Sequence, residues 1–203
     1  MFAQVVQGRT SDPQAVRTSV DRWVEELAPG ASGWLGTTAG VTEDGQLVVV
    51  ARFESEEAAR RNAARPEQDA FWRETGALLD GERTVLDSTE VDVETVGDPD
   101  RAGFVQVVQG RTTDPARARR LMQERPLEAM KEFRPEILGF LLIGHDEGRW
   151  TQVVYFASEA EARQGERREP PPEWRATMQE LMGLSVGEPT FLDLRDPVLV
   201  SPR

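Results

Sequence analysis

The sequence predicts an α+β protein built from two tandem copies of one βαββαβ unit, and three observations carry that prediction. The first is a repeat: Phe2–Pro13 (FAQVVQGRTSDP) returns as Phe104–Pro115 (FVQVVQGRTTDP) with ten of twelve positions identical. Two further blocks follow in the same order, Phe53–Arg60 against Phe156–Arg163 and Gly81–Asp87 against Gly187–Asp193. Three ordered matches mark a duplication, and each unit of roughly 100 residues is long enough to hold its own core, unlike the shorter repeats of a solenoid. The second observation is that both units read in the same element order. The third is that strands are apolar on both faces: in Gln46–Phe53, Leu47, Val49, Ala51 and Phe53 share one face while Val48 and Val50 lie on the other.

The elements follow in order. Residues 2–9 form a short valine-rich strand. Asp12 is placed to cap a helix whose first position is Pro13. Val16, Val20, Trp23, Val24 and Leu27 then keep the 3.6-residue period, and Pro29-Gly30 stops it. Strands at 34–41 and 46–53 are joined through Asp44-Gly45, a hairpin signal. A second helix starts after Ser55, is interrupted at Pro66 and continues through Phe71, Trp72, Thr75, Leu78 and Leu79. A final strand is expected over 84–96. The second copy repeats this with a helix after Asp114-Pro115 that Pro126 kinks or splits, hairpin strands at 137–144 and 149–156, a helix after Ser158 disturbed by Pro170-Pro171-Pro172, and a last strand around 190–195.

This order is the ferredoxin-like split βαβ motif, with helices on one sheet face. A sheet buried on both faces needs a second layer, and the sister repeat is the expected one, giving an intrachain pseudo-dimeric α+β barrel. The repeats are expected at 1–96 and 104–203 with a polar, turn-rich linker at 97–103. Duplication predicts a monomer in place of a homodimer, although Val91-Asp92-Val93 and Val198-Leu199-Val200 are exposed-edge patterns through which a second chain could pair.

Composition narrows the function. There are no cysteines, so disulfides, thiolate metal sites and cysteine nucleophiles are excluded. The net charge of −12 opposes nucleic-acid binding, and the best candidate for a basic patch, Arg117–Arg120, is bracketed by Asp114 and Glu124 on a helix. No apolar run approaches the ~20 residues of a membrane span, and no signal segment is visible, so a cytoplasmic protein is the default expectation. P-loop, dinucleotide-binding and zincin motifs do not occur.

The element order and the junction between the third strand and the second helix resemble those of the antibiotic biosynthesis monooxygenase family of dimeric α+β barrels. That junction reads as an aromatic, then Ser, then Ala. Phe53, Ser55 and Ala58 match it, as do Phe156 and Ser158, whereas Glu161 replaces the Ala in the second copy. The resemblance implies cofactor-independent oxygenation of an aromatic or polyketide-like small molecule, in a pocket between sheet and helices. It carries no metal over and no haem, because the family's helix histidine falls at Asn62 and Gly165. No cofactor is expected. The alternative is a non-enzymatic ligand-binding or stress-related barrel of the same fold.

The candidate ligand-binding residues are Gln4, Arg52, Asn62, Trp72, Gln106, Tyr155 and Trp174; no catalytic residue is assigned. Gln4 and Gln106, like Gln7 and Gln109, are amides within apolar strands. They can orient a ligand or, the favoured reading, hydrogen-bond across the symmetric interface between the repeats. Arg52 and Tyr155 sit at matched strand positions where a guanidinium could hold a carboxylate or phenolate; an ion pair with one of the many acidic residues is as good a reading. Asn62 could stabilise an oxyanion or be an exposed helix residue. Trp72 and Trp174 are expected first as core anchors. His145, in Gly144-His145-Asp146-Glu147-Gly148, is expected on the surface.

Overall fold

The computed structural model describes residues 1–124 and 127–202. They fall into two compact units, Met1–Val91 with Leu194–Arg203, and Asp92–Asp193. The first contains β1 (Phe2–Arg9), α1 (Pro13–Arg22), β2 (Trp34–Val41), β3 (Gln46–Phe53), α2 (Glu56–Ala63), α3 (Pro66–Gly76) and β4 (Thr84–Ser88). β5 (Val91–Thr95) leads into the second, which continues with β6 (Phe104–Arg111), α4 (Pro115–Gln123), α5 (Leu127–Phe133), β7 (Ile137–Gly144), β8 (Arg149–Phe156), α6 (Glu159–Glu166), α7 (Pro172–Leu184) and β9 (Thr190–Leu194). β10 (Val198–Val200) belongs to the first. Pro126, expected to break a helix, lies outside the described residues.

Local chemistry sets these boundaries as the sequence predicts. The Asp12 carboxylate accepts from Ala15 N at 3.0 Å and Asp114 from Arg117 N at 2.9 Å, each with proline at the first helical position. Ser55 and Ser158 cap α2 and α6 through Ala58 N and Glu161 N. After Arg22 the first helix widens into one π-type turn, Trp23–Leu27, before Ala28–Gly30 ends it. The hairpin turns need glycine. Gly45 (φ +83°) and Gly148 (φ +72°) approach the Thr10 and Thr112 carbonyl oxygens so closely that a Cβ would lie 2.5 and 2.2 Å from them.

The sheets run β10-β2-β3-β1-β4 and β5-β7-β8-β6-β9. Corresponding registers match: Phe2 opposes Phe53, and Phe104 opposes Phe156. Each sheet also has a register shift at the start of one hairpin strand, between Trp34 and Gly36 and between Ile137 and Gly139. Both faces of the central strands are buried, with Leu47 on one and Val5, Val48 and Val50 on the other, none more than 1% exposed. Among the described residues no helix is long and apolar enough to cross a membrane.

Two expectations need correction. The segment 84–96 is not one strand. It breaks after Ser88, whose Oγ accepts from Glu90 N at 2.9 Å, and its halves join different sheets: β4 pairs with β1, while β5 is the neighbour of β7. Val198-Leu199-Val200 pairs within its own chain, opposite Ala39, Thr38 and Thr37 of β2. Each sheet therefore takes its fifth strand from the segment that follows the other repeat.

Candidate functional site

Strand parity decides which predicted residues share a cavity. In the first unit Gln4 and Val6 of β1 share a face with Leu47, Val49, Ala51 and Phe53 of β3, and that face with the helices encloses a cavity of ≈ 50 Å³. Gln4, Asn62 and Trp72 all line it. Arg52 does not. It lies on the opposite parity with Val48 and Val50, and its Nη2 donates to the Leu35 carbonyl at 3.3 Å rather than forming an ion pair.

Asn62 is buried, against the expectation of an exposed helix residue. Ala58, Ala59 and Asn62 form the inward face of α2. Arg65 Nη1 donates to Asn62 Oδ1 and to the Leu27 carbonyl, both at 3.0 Å. A guanidinium only donates, so the amide oxygen must face Arg65 and the Nδ2 end is turned the other way. Gln68, which carries no signal in the sequence, is also buried at this cavity, and its Oε1 accepts from Trp23 Nε1 at 2.7 Å. Trp72 is half-buried, edge-on to Phe71 and under the Arg83 guanidinium at 5.1 Å.

The second unit holds a larger space. Its cavity of ≈ 420 Å³ lies among β6, β7, β8, the helices α4, α5 and α7, and β9, with Phe133, Phe140, Phe156, Trp174 and several methionines in its wall. Gln106 and Trp174 line it; Tyr155, on the other parity of β8, is buried elsewhere. Trp174 is an anchor as expected, edge-on to Phe133 with centroids 5.2 Å apart. Its polar groups are Gln106, Gln152, Arg134, Glu166 and Thr177. A volume in the few-hundred Å³ range with aromatic walls and a few polar groups is what a small organic ligand requires.

The glutamines act alike in both units. Gln4 Nε2 donates to Asp87 at 3.0 Å and Gln106 Nε2 to Asp193 at 2.9 Å, tying the first strand of each repeat to its last. The units differ beyond that. Asp193 also binds Arg163, which engages Glu159 and Glu166 and lies over the Phe104 ring at 5.2 Å. Arg60, its counterpart, bonds along its own helix to Glu56 at 2.6 Å. Burial opposes charge on Arg163, but the carboxylates of Asp193 and Glu166 together outweigh it, so its pKa is raised.

A second difference replaces Asn62. Its counterpart is Gly165, and a Cβ there would fall 1.8 Å from Glu136 Oε1. The Glu136 carboxylate, 3% exposed, occupies that space between Arg134 Nε and Arg168 Nη1, the latter at 3.1 Å. Arg168 Nη1 also donates to the Phe133 carbonyl at 2.9 Å, as Arg65 does to Leu27. By the register of the hairpin strands, Arg134 and Glu136 stand where the first unit has Ala31 and Gly33.

His145 is half-buried rather than a surface residue. Its Nε2 lies 3.0 Å from Thr151 Oγ1, which also accepts from Gln109 Nε2 at 3.1 Å, and Nδ1 is buried with no hydrogen-bond partner among the described residues. Burial, then the nearby Arg149, push its pKa below 6.5 against the weaker pull of Asp146. It lines neither cavity. The basic run faces acids: Arg117 grips Glu180 through Nε at 2.6 Å and Nη2 at 2.9 Å, and Arg119 pairs with Asp92 at 2.6 Å.

No family model matches the chain, and no curated protein does. Solved structures match over almost its whole length. A candidate monooxygenase from Lactobacillus acidophilus NCFM superposes with a TM-score of 0.71 at 12% identity, covering 98% of this chain and 99% of that one. Another, from Fusobacterium nucleatum, gives 0.71 at 10% identity, covering 98% and 94%. An anthrone oxidase-like protein gives 0.64 at 12% identity, covering 95% and 90%. At these identities the likeness is one of fold. It extends through both repeats, so the tandem α+β architecture is common to all four chains.

Proposed function

We propose that this protein binds an aromatic, polyketide-like small molecule in the cavity of its second unit and oxygenates it without a cofactor. The cavity carries the reading: ≈ 420 Å³ walled by aromatic and methionine side chains, against ≈ 50 and ≈ 160 Å³ for two cavities on the corresponding face of the first unit. Gln106, Arg134 and Trp174 are the residues assigned to hold the ligand; Gln4, Asn62 and Trp72 then support the fold of the first unit. An anthrone-type substrate suits the site, because its acidic methylene yields a delocalised anion that can itself reduce oxygen. Its CH2 becomes C=O while O2 becomes water, so the substrate supplies all the electrons. The fold shared with an anthrone oxidase-like protein agrees with this choice of probe.

The test is oxygen uptake by the purified protein with anthrone, together with binding of the corresponding anthraquinone followed by calorimetry. Stoichiometric O2 consumption that Val154→Phe abolishes, by filling the cavity, is the expected result. Binding without turnover would make the protein a binder rather than an oxygenase. Absence of both would overturn the proposal.

A further inference from the structure

Within that reading of the second cavity, we infer that its ligand carries an ionised acidic group, a phenolate, enolate or carboxylate, which Arg134 receives. Arg134 is a cavity-lining residue whose side chain is 17% exposed, and its guanidinium is held at two points. Nε donates to Glu136, and Cζ lies over the Phe156 ring, 5.8 Å from its centroid. Neither point uses Nη1 or Nη2, and among the described residues these two groups meet no hydrogen-bond acceptor. A guanidinium fixed through Nε and held over a ring keeps its Nη groups for the oxygens of an anion.

The charge balance points the same way. Glu136 is one carboxylate shared by two guanidiniums, Arg134 and Arg168, so the group retains one net positive charge beside an apolar space. Such a charge in poorly solvated surroundings is stabilised by an anion. Glu166, the other charged residue of the wall, is engaged by Arg163 at 2.9 Å and repels an anion, so the ligand's acidic end is directed to Arg134. Glu136 and Arg168 are positioning residues: they set the orientation of Arg134 without lining the cavity. The first unit lacks this device, with Ala31 at the position of Arg134 and Gly33 at that of Glu136.

The experiment compares two isosteric probes, 2-naphthoate and 2-naphthamide, by calorimetry on the intact protein at pH 7.5. The wild type should bind the anion at least about tenfold more tightly, the equivalent of roughly 1.4 kcal/mol. Arg134→Gln should erase that preference by weakening naphthoate alone, and Arg134→Lys should restore part of it. The wild-type comparison does not depend on any variant folding. Equal affinity for both probes would overturn the inference while leaving the cavity a small-molecule site. If neither probe binds, both the inference and the reading beneath it fall.

Discussion

Asn62 accepts from Arg65 through its side-chain oxygen at 3.0 Å, and the counterpart of that bond is made by Glu136, whose Oε2 accepts from Arg168 at 3.1 Å. The two units thus anchor an equivalent arginine from opposite sides. In one the helix carries the acceptor and Gly33 leaves room; in the other the helix carries Gly165 and the segment before the strand supplies the acceptor. Gly165→Ala should therefore expel Glu136 from its arginines and cost about 3 kcal/mol, the scale of a broken buried ion pair. Because Arg134 also borders that space, the first unit is imitated only by Arg134→Ala with Glu136→Gly and Gly165→Asn together, and that combination should recover more than half of the loss. Urea unfolding of the wild type, Gly165→Asn, the pair Arg134→Ala/Glu136→Gly and the combination of all three closes a mutant cycle that measures the coupling, and strict additivity would refute the exchange.

Trp23 is joined to Gln68 by a buried 2.7 Å hydrogen bond. Trp23→Phe removes the donor, orphans the Gln68 oxygen beside the small cavity and should destabilise the protein by roughly 2 kcal/mol or more. Trp23→Phe combined with Gln68→Leu should be less damaging than the first change alone, as thermal melts would show.

Deleting residues 197–203 removes β10 and bares the edge of β2. Val198 and Val200 pack against the first unit's core clusters, so their loss should cost about 2 kcal/mol. Amide exchange localises the effect: protection should fall at Thr37–Ala39 and remain in β8. Uniform loss across both sheets would contradict the assignment of β10 to the first unit.

His145 makes stability sensitive to mild acid. Its folded-state pKa lies below the unfolded 6.5. Above 6.5 both states are neutral and the stabilising contribution is complete. As pH falls below 6.5 the unfolded chain takes up the proton first, and stability declines until the folded pKa is passed. His145→Gln, which keeps a hydrogen-bonding group for Thr151, should flatten the fall in stability between pH 7.5 and 5.5. Chemical denaturation at both pH values tests this, and an unchanged slope would argue against a buried neutral imidazole. The carboxyls of Asp44, Glu57, Glu67 and Glu180, all held below their ordinary values, act in a separate window below about pH 4.5.

Much of the fold is legible in the sequence because its signals are local. Asp12, Ser55, Asp114 and Ser158 announce helix starts, and alternating residues place β3 and β8 to the residue. Sheet membership is not local. Val91 and Val93 alternate as a strand should, yet nothing in that pattern says that β5 belongs with β7 while β4 belongs with β1. The site was half legible. Parity alone separates Arg52 from Gln4, since Val48 and Val50 share its face. The burial of Asn62 was readable from Ala58 and Ala59 on the same helix. Glu136 carried no signal: in Arg134-Pro135-Glu136 it reads as ordinary surface charge, and only the space left by Gly165 gives it a role.

The reciprocal placement of β5 and β10 also orders the birth of the molecule. β2 emerges from the ribosome with one edge unpaired and waits about 160 residues of synthesis for Val198–Val200 to reach it. β5, by contrast, is already made when β7 appears. The unit begun first is therefore completed last. During that interval its open edge is where mispairing with a neighbouring nascent chain would begin, so slowed translation over the second repeat should raise aggregation more than slowed translation over the first.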